Sequence, residues 1–170
     1  MRTMRITRKK ATAAALFLAA IGLTMPATAA QAAPSPSDEV GVMADCSPNG
    51  TNGRVYAWLH SDCSGTLLGS TEGNDANWGN SAGSFQGADD NNATSVANNG
   101  YVGGNDVVAF YRLTGGADAW AGGFLCAGPG VALQDLHGYT FTTGQNANDR
   151  ISSHEWVTSA GCGRGAFIDS

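Results

Sequence analysis

The feature that most restricts this chain is that it is written twice. A strand-like run, Arg54-Val55-Tyr56-Ala57-Trp58-Leu59, leads after about 35 to 40 residues to Asp90-Asn91-Asn92-Ala93-Thr94-Ser95. A second run, Val107-Val108-Ala109-Phe110-Tyr111, leads over a similar distance to Asn148-Asp149-Arg150-Ile151-Ser152-Ser153. Each hexapeptide opens with two carboxylate or amide residues, passes through two variable ones and closes on a hydroxyl residue and a serine. This doubling decides the architecture more than any single strand does.

The remaining pattern agrees with it. Short apolar or aromatic runs at Thr66–Ser70, Gly123–Cys126, Tyr139–Thr142 and Glu155–Val157 alternate with Gly and Asn clusters, and the pairs Asn49-Gly50, Asn52-Gly53 and Asn99-Gly100 mark turns. No helical stripe of convincing length interrupts them. Short strands at this spacing predict an all-β sandwich or barrel, here one domain over residues 46–170 made of a first motif at about 46–106 and a second at about 107–170.

The N-terminus has a different logic. Five basic residues and no acid in MRTMRITRKK precede an apolar run from Ala11 to Met25, too short to span a bilayer, and then small residues suited to a signal peptidase. Residues 1–32 are therefore read as a secretory signal peptide cleaved after Ala32, with Ala29 as the alternative, and residues 33–45 as a flexible tail rich in Pro, Ser and acids. Cleavage would remove five of nine basic residues and none of fourteen acids, leaving 4 − 14 = −10 with Arg54, Arg112, Arg150 and Arg164 as the cations. Such a surface repels phosphate backbones and anionic membranes, which excludes nucleic acid and lipid as partners and favours cations. A secreted, extracellular monomer is expected.

Export also explains the cysteines. Cys46, Cys63, Cys126 and Cys162 allow three pairings in an oxidising compartment. None sits at the two-residue spacing of a zinc knuckle, and His60, His137 and His154 do not cluster with them. Pairing Cys46 with Cys63 and Cys126 with Cys162 keeps each bridge inside one copy of the repeat.

The hexapeptides carry the chemistry. Calcium takes six to eight oxygens at roughly 2.3 to 2.6 Å from carboxylates, amide and backbone carbonyls, hydroxyls and water. Asp90, Asn91 and Thr94 offer such atoms in one copy, and Asn148, Asp149 and Ser152 in the other. The same residue types also cap turns by bonding their own backbone, so a purely structural role stands beside the metal one.

Both hexapeptides match, at every specified position, the calcium-binding pattern Asn/Asp-Asn/Asp-x-x-Ser/Thr-Ser of βγ-crystallin-type Greek-key domains. The chain resembles that family from about Arg54 to Val157 and looks closest to its secreted bacterial branch, which includes small metalloprotease inhibitors and killer-toxin-like proteins. The resemblance implies two Greek-key motifs in one β-sandwich, with each calcium ion between the copies and side chains of one motif completing the site of the other. One carboxylate per hexapeptide implies weak sites, roughly micromolar to millimolar. Two departures concern the first hairpin of each motif. Cys63 stands where the family carries a second aromatic after Trp58, and Tyr111 lies too far before Trp120-Ala121-Gly122.

Catalytic signatures lack their context. Gly79-Asn80-Ser81-Ala82-Gly83 matches a nucleophile elbow, yet loop chemistry precedes Ser81 where a buried strand is required. His154-Glu155 lacks the second histidine of a zinc protease, and the neighbouring Asp89 and Asp90 would point to opposite faces. Asn49-Gly50-Thr51 and Asn92-Ala93-Thr94 match the glycosylation sequon, idle behind a bacterial-looking signal. Of the tryptophans, Trp58 and Trp156 read as core, while Trp78 and Trp120, flanked by Gly and Asn, are expected to be the more exposed pair. The sequence thus points to a non-enzymatic calcium-binding protein. The alternatives are an inhibitor of secreted peptidases, presenting the Thr114–Gly123 loop with Trp120, and a toxin-like or cell-surface ligand.

Overall fold

The computed structural model describes residues 46, 50–115, 120–163, 167 and 168. The signal peptide and tail read at 1–32 and 33–45 lie outside the described residues.

Strand β1 (Arg54–His60) shows how the sequence builds the fold. Its side chains alternate with the period-two geometry of a strand. Val55 and Ala57 enter the main core, while Tyr56 and Trp58 pack on the other face with Cys46 and Cys63. Strand β4 (Val107–Tyr111) repeats the scheme. Val108 and Phe110 enter the same core, and Val107, Ala109 and Tyr111 face Cys126 and Cys162. Each copy of the repeat thus turns one face of its opening strand to a shared interior and the other to its own disulfide.

The remaining strands are β2 (Ser64–Thr71), β3 (Ser95–Asn99), β5 (Phe124–Ala127), β6 (Ala132–Leu133), β7 (Ser153–Val157) and β8 (Phe167–Ile168). They form two four-stranded sheets, in the orders β2-β1-β3-β6 and β7-β4-β5-β8. Every pairing is antiparallel except β5 with β8. The halves are interlocked. Strand β6 belongs to the second copy but pairs with β3 of the first, Val96 opposite Leu133. In return Asp75, between β2 and β3, bridges to His154 on β7 of the second copy. Each Greek key lends a limb to the other, and the core of Val55, Phe85, Val96, Phe110, Leu125, Leu133, Phe141 and Ile151 is common to both.

Cys46 is bonded to Cys63 and Cys126 to Cys162, at sequence separations of 17 and 36. By loop closure these restrict the unfolded chain by about 3 and about 4 kcal/mol.

Two sequence readings need correction, and one central strand had no counterpart in the sequence expectations. Tyr139–Thr142, predicted as a strand, makes one isolated bridge, Thr140 to Asn146, after a 3-10 turn at Leu136–Gly138. Phe141 is buried there, and hydrophobic content alone suggested the strand. Ser95–Asn99, with two asparagines, is a fully buried central strand. Its asparagines find partners inside: Asn98 donates through Nδ2 to the carbonyls of Asp106 and Ala127, each at 2.8 Å. Trp78, expected to be exposed, is wholly buried, its ring stacked on Phe85 at 4.1 Å. Glycine at 69 leaves bare backbone where the Phe85 ring lies, since a Cβ there would come within 2.5 Å of it. The strands β6 and β8 and the single helical turn Ser159–Cys162 have no counterpart among the sequence expectations.

Candidate metal centre

The two hexapeptides fold into equivalent turns placed against each other. Their second residues, Asn91 and Asp149, take left-handed conformations with φ of 57° and 51°. Asn and Asp tolerate that region better than other side chains. Their backbone N–H groups cross over: Asn91 donates to the Ile151 carbonyl at 3.0 Å, and Asp149 to the Ala93 carbonyl at 3.0 Å. The fourth residues, Ala93 and Ile151, are buried between the turns and the core. Thr94 N–H donates to the Trp58 carbonyl and Ser152 N–H to that of Tyr111, at 3.0 and 2.9 Å, so each turn hangs from the opening strand of its own copy.

The closing serines are structural. Ser95 Oγ donates to the His60 carbonyl at 2.6 Å and accepts from Cys63 N–H at 3.1 Å. Ser153 Oγ donates to the Leu113 carbonyl at 2.6 Å. Both are buried, and both close the hairpin beside them.

The other side-chain oxygens meet across the two copies. Thr94 Oγ1 lies 3.4 Å from Asp149 Oδ1, and Ser152 Oγ lies 3.3 Å from Asn91 Oδ1. Asp90 Oδ2 accepts from Asn91 Nδ2 at 2.8 Å, and Asn148 Nδ2 donates to Asp149 Oδ2 at 2.7 Å. That leaves one oxygen of each first residue, Asp90 Oδ1 and Asn148 Oδ1, buried with no hydrogen-bond donor. A buried acceptor left unmatched costs about 1 to 3 kcal/mol. Here it occurs twice, at the same position of the repeat.

This donor set suits a hard cation. The oxygens are carboxylate, amide and hydroxyl, the types calcium takes, and the two cross-copy pairs have separations that two ligands of one ion can adopt. Among the described residues no group of three or more His, Cys, Asp or Glu side chains gathers as softer metals require. The resemblance implies that each copy completes the other's site, and Thr94 with Asp149 and Ser152 with Asn91 are the pairs so placed.

Behind the second turn stands a buried histidine that sequence reasoning had weighed only as half of a zinc motif. Trp78 Nε1 donates to His154 Nδ1 at 2.9 Å, so the opposite nitrogen carries the proton and donates to the Gly73 carbonyl at 3.0 Å. Burial lowers the His154 pKa to about 4, the Gly73 hydrogen bond opposing the shift, and the ring is neutral at ordinary pH. Trp78 in turn donates its backbone N–H to the Ser152 carbonyl at 2.9 Å. The cluster holds the loop after β2 against the turn. On the same strand Glu155 accepts from the Tyr111 phenol at 2.6 Å, and burial together with this carboxylate keeps the phenol protonated well above its ordinary range.

The other sequence candidates are dispersed. Ser81 is exposed in a run of turns between Trp78 and Phe85, with no strand before it. Trp120 is half-buried and packs on Tyr111 at 5.0 Å between ring centres. Residues 116–119 of its loop lie outside the described residues.

Two interlocked Greek-key motifs, each ending its central turn on the same hexapeptide, define an all-β class of domain. Among solved structures the chain is similar to a βγ-crystallin from Ciona intestinalis, with 12% identity over 61% of this chain and 99% of that one and a TM-score of 0.42. It is also similar to spherulin 3A from Physarum polycephalum, with 24% identity over 65% and 87% and a TM-score of 0.40. No protein-family model and no curated protein matches it.

Proposed function

We propose that the protein is a secreted, non-enzymatic binding module that takes up calcium at the paired hexapeptides. The observation that carries this reading is the repeated orphan, Asp90 Oδ1 and Asn148 Oδ1, each beside hydroxyl, amide and carboxylate oxygens drawn from both copies. Asp90 and Asn91 with Ser152, and Asn148 and Asp149 with Thr94, would hold the ions. Bound calcium would supply positive charge to oxygens that otherwise face one another. With one carboxylate per hexapeptide, binding is weak, in the roughly micromolar to millimolar range of extracellular modules. Two disulfides suit an oxidising compartment, and among the described residues no helix is long and apolar enough to cross a membrane. The peptidase-inhibitor and cell-surface-ligand readings have no comparable observation in their favour.

Melting with excess chelator, with calcium and with magnesium tests the proposal. Calcium at a hundredfold over its dissociation constant adds about 2.7 kcal/mol per independent site, a rise of several degrees. Asp90→Ala with Thr94→Val, and Asn148→Ala with Ser152→Ala, should each remove part of the rise and together nearly all of it. Magnesium, which demands a tighter octahedron, should substitute poorly. Equal melting temperatures for the wild type in calcium and in chelator would reduce the hexapeptides to turns.

A further inference from the structure

We infer that the cleft between Tyr101 and Trp156 is a binding site for a neutral saccharide. The cleft holds about 370 Å³ and is lined by Glu72 and Asn74 from the loop after β2, by Tyr101 and Asn105 from the link between the copies, and by Trp156 from β7, with glycines between them. None of these residues belongs to a hexapeptide.

Both rings are seated by glycine. A Cβ on Gly53 would approach the Tyr101 ring to 2.8 Å, and one on Gly100 would approach the Trp156 ring to 2.6 Å, so bare backbone at these two points lets the rings lie where they do. Tyr101 is 65% exposed, which makes it presented surface rather than core. Its loop is nonetheless held, because Gly103 N–H donates to Asp106 Oδ2 at 2.7 Å and Asn98 Nδ2 to the Asp106 carbonyl at 2.8 Å.

The polar groups are few and partly pre-set. Asn74 Oδ1 accepts from the backbone N–H of Trp156 at 2.8 Å, which orients the carboxamide and leaves its NH₂ for a ligand. Glu72 Oε1 accepts from Arg54 Nη1 at 3.2 Å, so the guanidinium is already engaged, while 70% of the Glu72 side chain is exposed. Asn105 adds an exposed amide. Aromatic faces beside two carboxamides and a carboxylate suit a pyranose, whose C–H face lies on a ring while its hydroxyls meet groups that both donate and accept. An anionic ligand would meet Glu72 and a chain of net charge −5. The competing occupant is an organic cation, which would use the same rings and the Glu72 charge. The amides decide for the sugar, since a quaternary cation offers them nothing to bond.

The test is titration followed by tryptophan fluorescence and calorimetry, in excess chelator so that calcium plays no part. The probes are N,N′-diacetylchitobiose, cellobiose, maltose and choline chloride. Saturable binding of at least one disaccharide is expected, weakened about tenfold or more by Tyr101→Ala and by Asn105→Ala and retained in Glu72→Gln. Both weakening variants lie on an exposed loop and should melt as the wild type does; if Tyr101→Ala melts lower, Asn105→Ala alone decides. The proposal is overturned by silence with all three sugars, by sugar binding indifferent to both loop variants, or by choline binding that excludes sugar and vanishes in Glu72→Gln.

Discussion

His154 shows how one side chain can tie a loop to a distant strand and leave a signature in pH. In the folded protein the ring takes a proton only near pH 4, whereas in the unfolded chain it does so near 6.5. Between those values the unfolded state binds more protons. The stability His154 contributes is therefore complete above about pH 6.5 and lost as pH falls toward 4, to a limit of roughly 3 kcal/mol. Melting temperatures at pH 7 and pH 4.5 should show the fall. His154→Gln, which keeps one acceptor and one donor but cannot become charged, should melt lower at pH 7 and lose most of the slope. An unchanged slope in that variant would place the acid sensitivity elsewhere. Asn91 and Asp149 make the same point about conformation: both are held at positive φ, both in the same position of the repeat, and that geometry lets their N–H groups cross to the opposite turn.

At the level of elements, the exchange between copies matters more than strand length. Strand β6 has two residues, yet Leu133 on it is fully buried and paired with Val96 of the other copy. Leu133→Ala should cost about 2 to 5 kcal/mol, the range for a deleted leucine side chain in a core that cannot collapse around the gap. Leu67, on the edge strand β2 and 48% exposed, is the control, and Leu67→Ala should stay within about 0.5 kcal/mol. Denaturant unfolding of both variants checks the contrast. Similar losses would mean that β6 is a surface feature. The loop after β2 is the other element of this kind. Its regular structure is limited to a 3-10 turn at Gly87–Asp89, yet it carries Trp78 and Phe85 into the core and Asp75 into the second sheet, so its many glycines and asparagines serve packing as well as turning.

For the whole molecule, the two disulfides lie on the outer faces of the two opening strands, one per copy, while the core between them is shared. Cutting a bridge should therefore loosen the unfolded-state restriction without opening the core. Cys126→Ser with Cys162→Ser removes the bridge that closes the longer loop, at separation 36 against 17, and should cost more than Cys46→Ser with Cys63→Ser, about 4 against about 3 kcal/mol on loop closure. The reverse order, measured by urea unfolding under non-reducing conditions, would mean that native packing around Cys46 and Cys63 outweighs the chain entropy.

The repeat, the turn dipeptides and the short alternating runs were enough for the sequence alone to determine an all-β chain in two copies, because strand periodicity and turn chemistry are local properties. The hexapeptides were legible for the same reason, as six adjacent residues with a fixed order of oxygen donors. What no local pattern contains is which strand crosses to which sheet. That decision set β6 beside β3 and Asp75 beside His154. It buried Trp78, whose Gly and Asn neighbours suggested surface, and it gave two asparagines of β3 a place in the interior. It brought Thr94 to Asp149 and Ser152 to Asn91, 55 and 61 residues apart in the chain, leaving one oxygen of Asp90 and one of Asn148 without a donor. It also assembled Tyr101, from the link between the copies, and Trp156, from β7, into one cleft. These are long-range juxtapositions, selected by the burial of a core that neither copy could complete by itself, and so only the tertiary structure decides them.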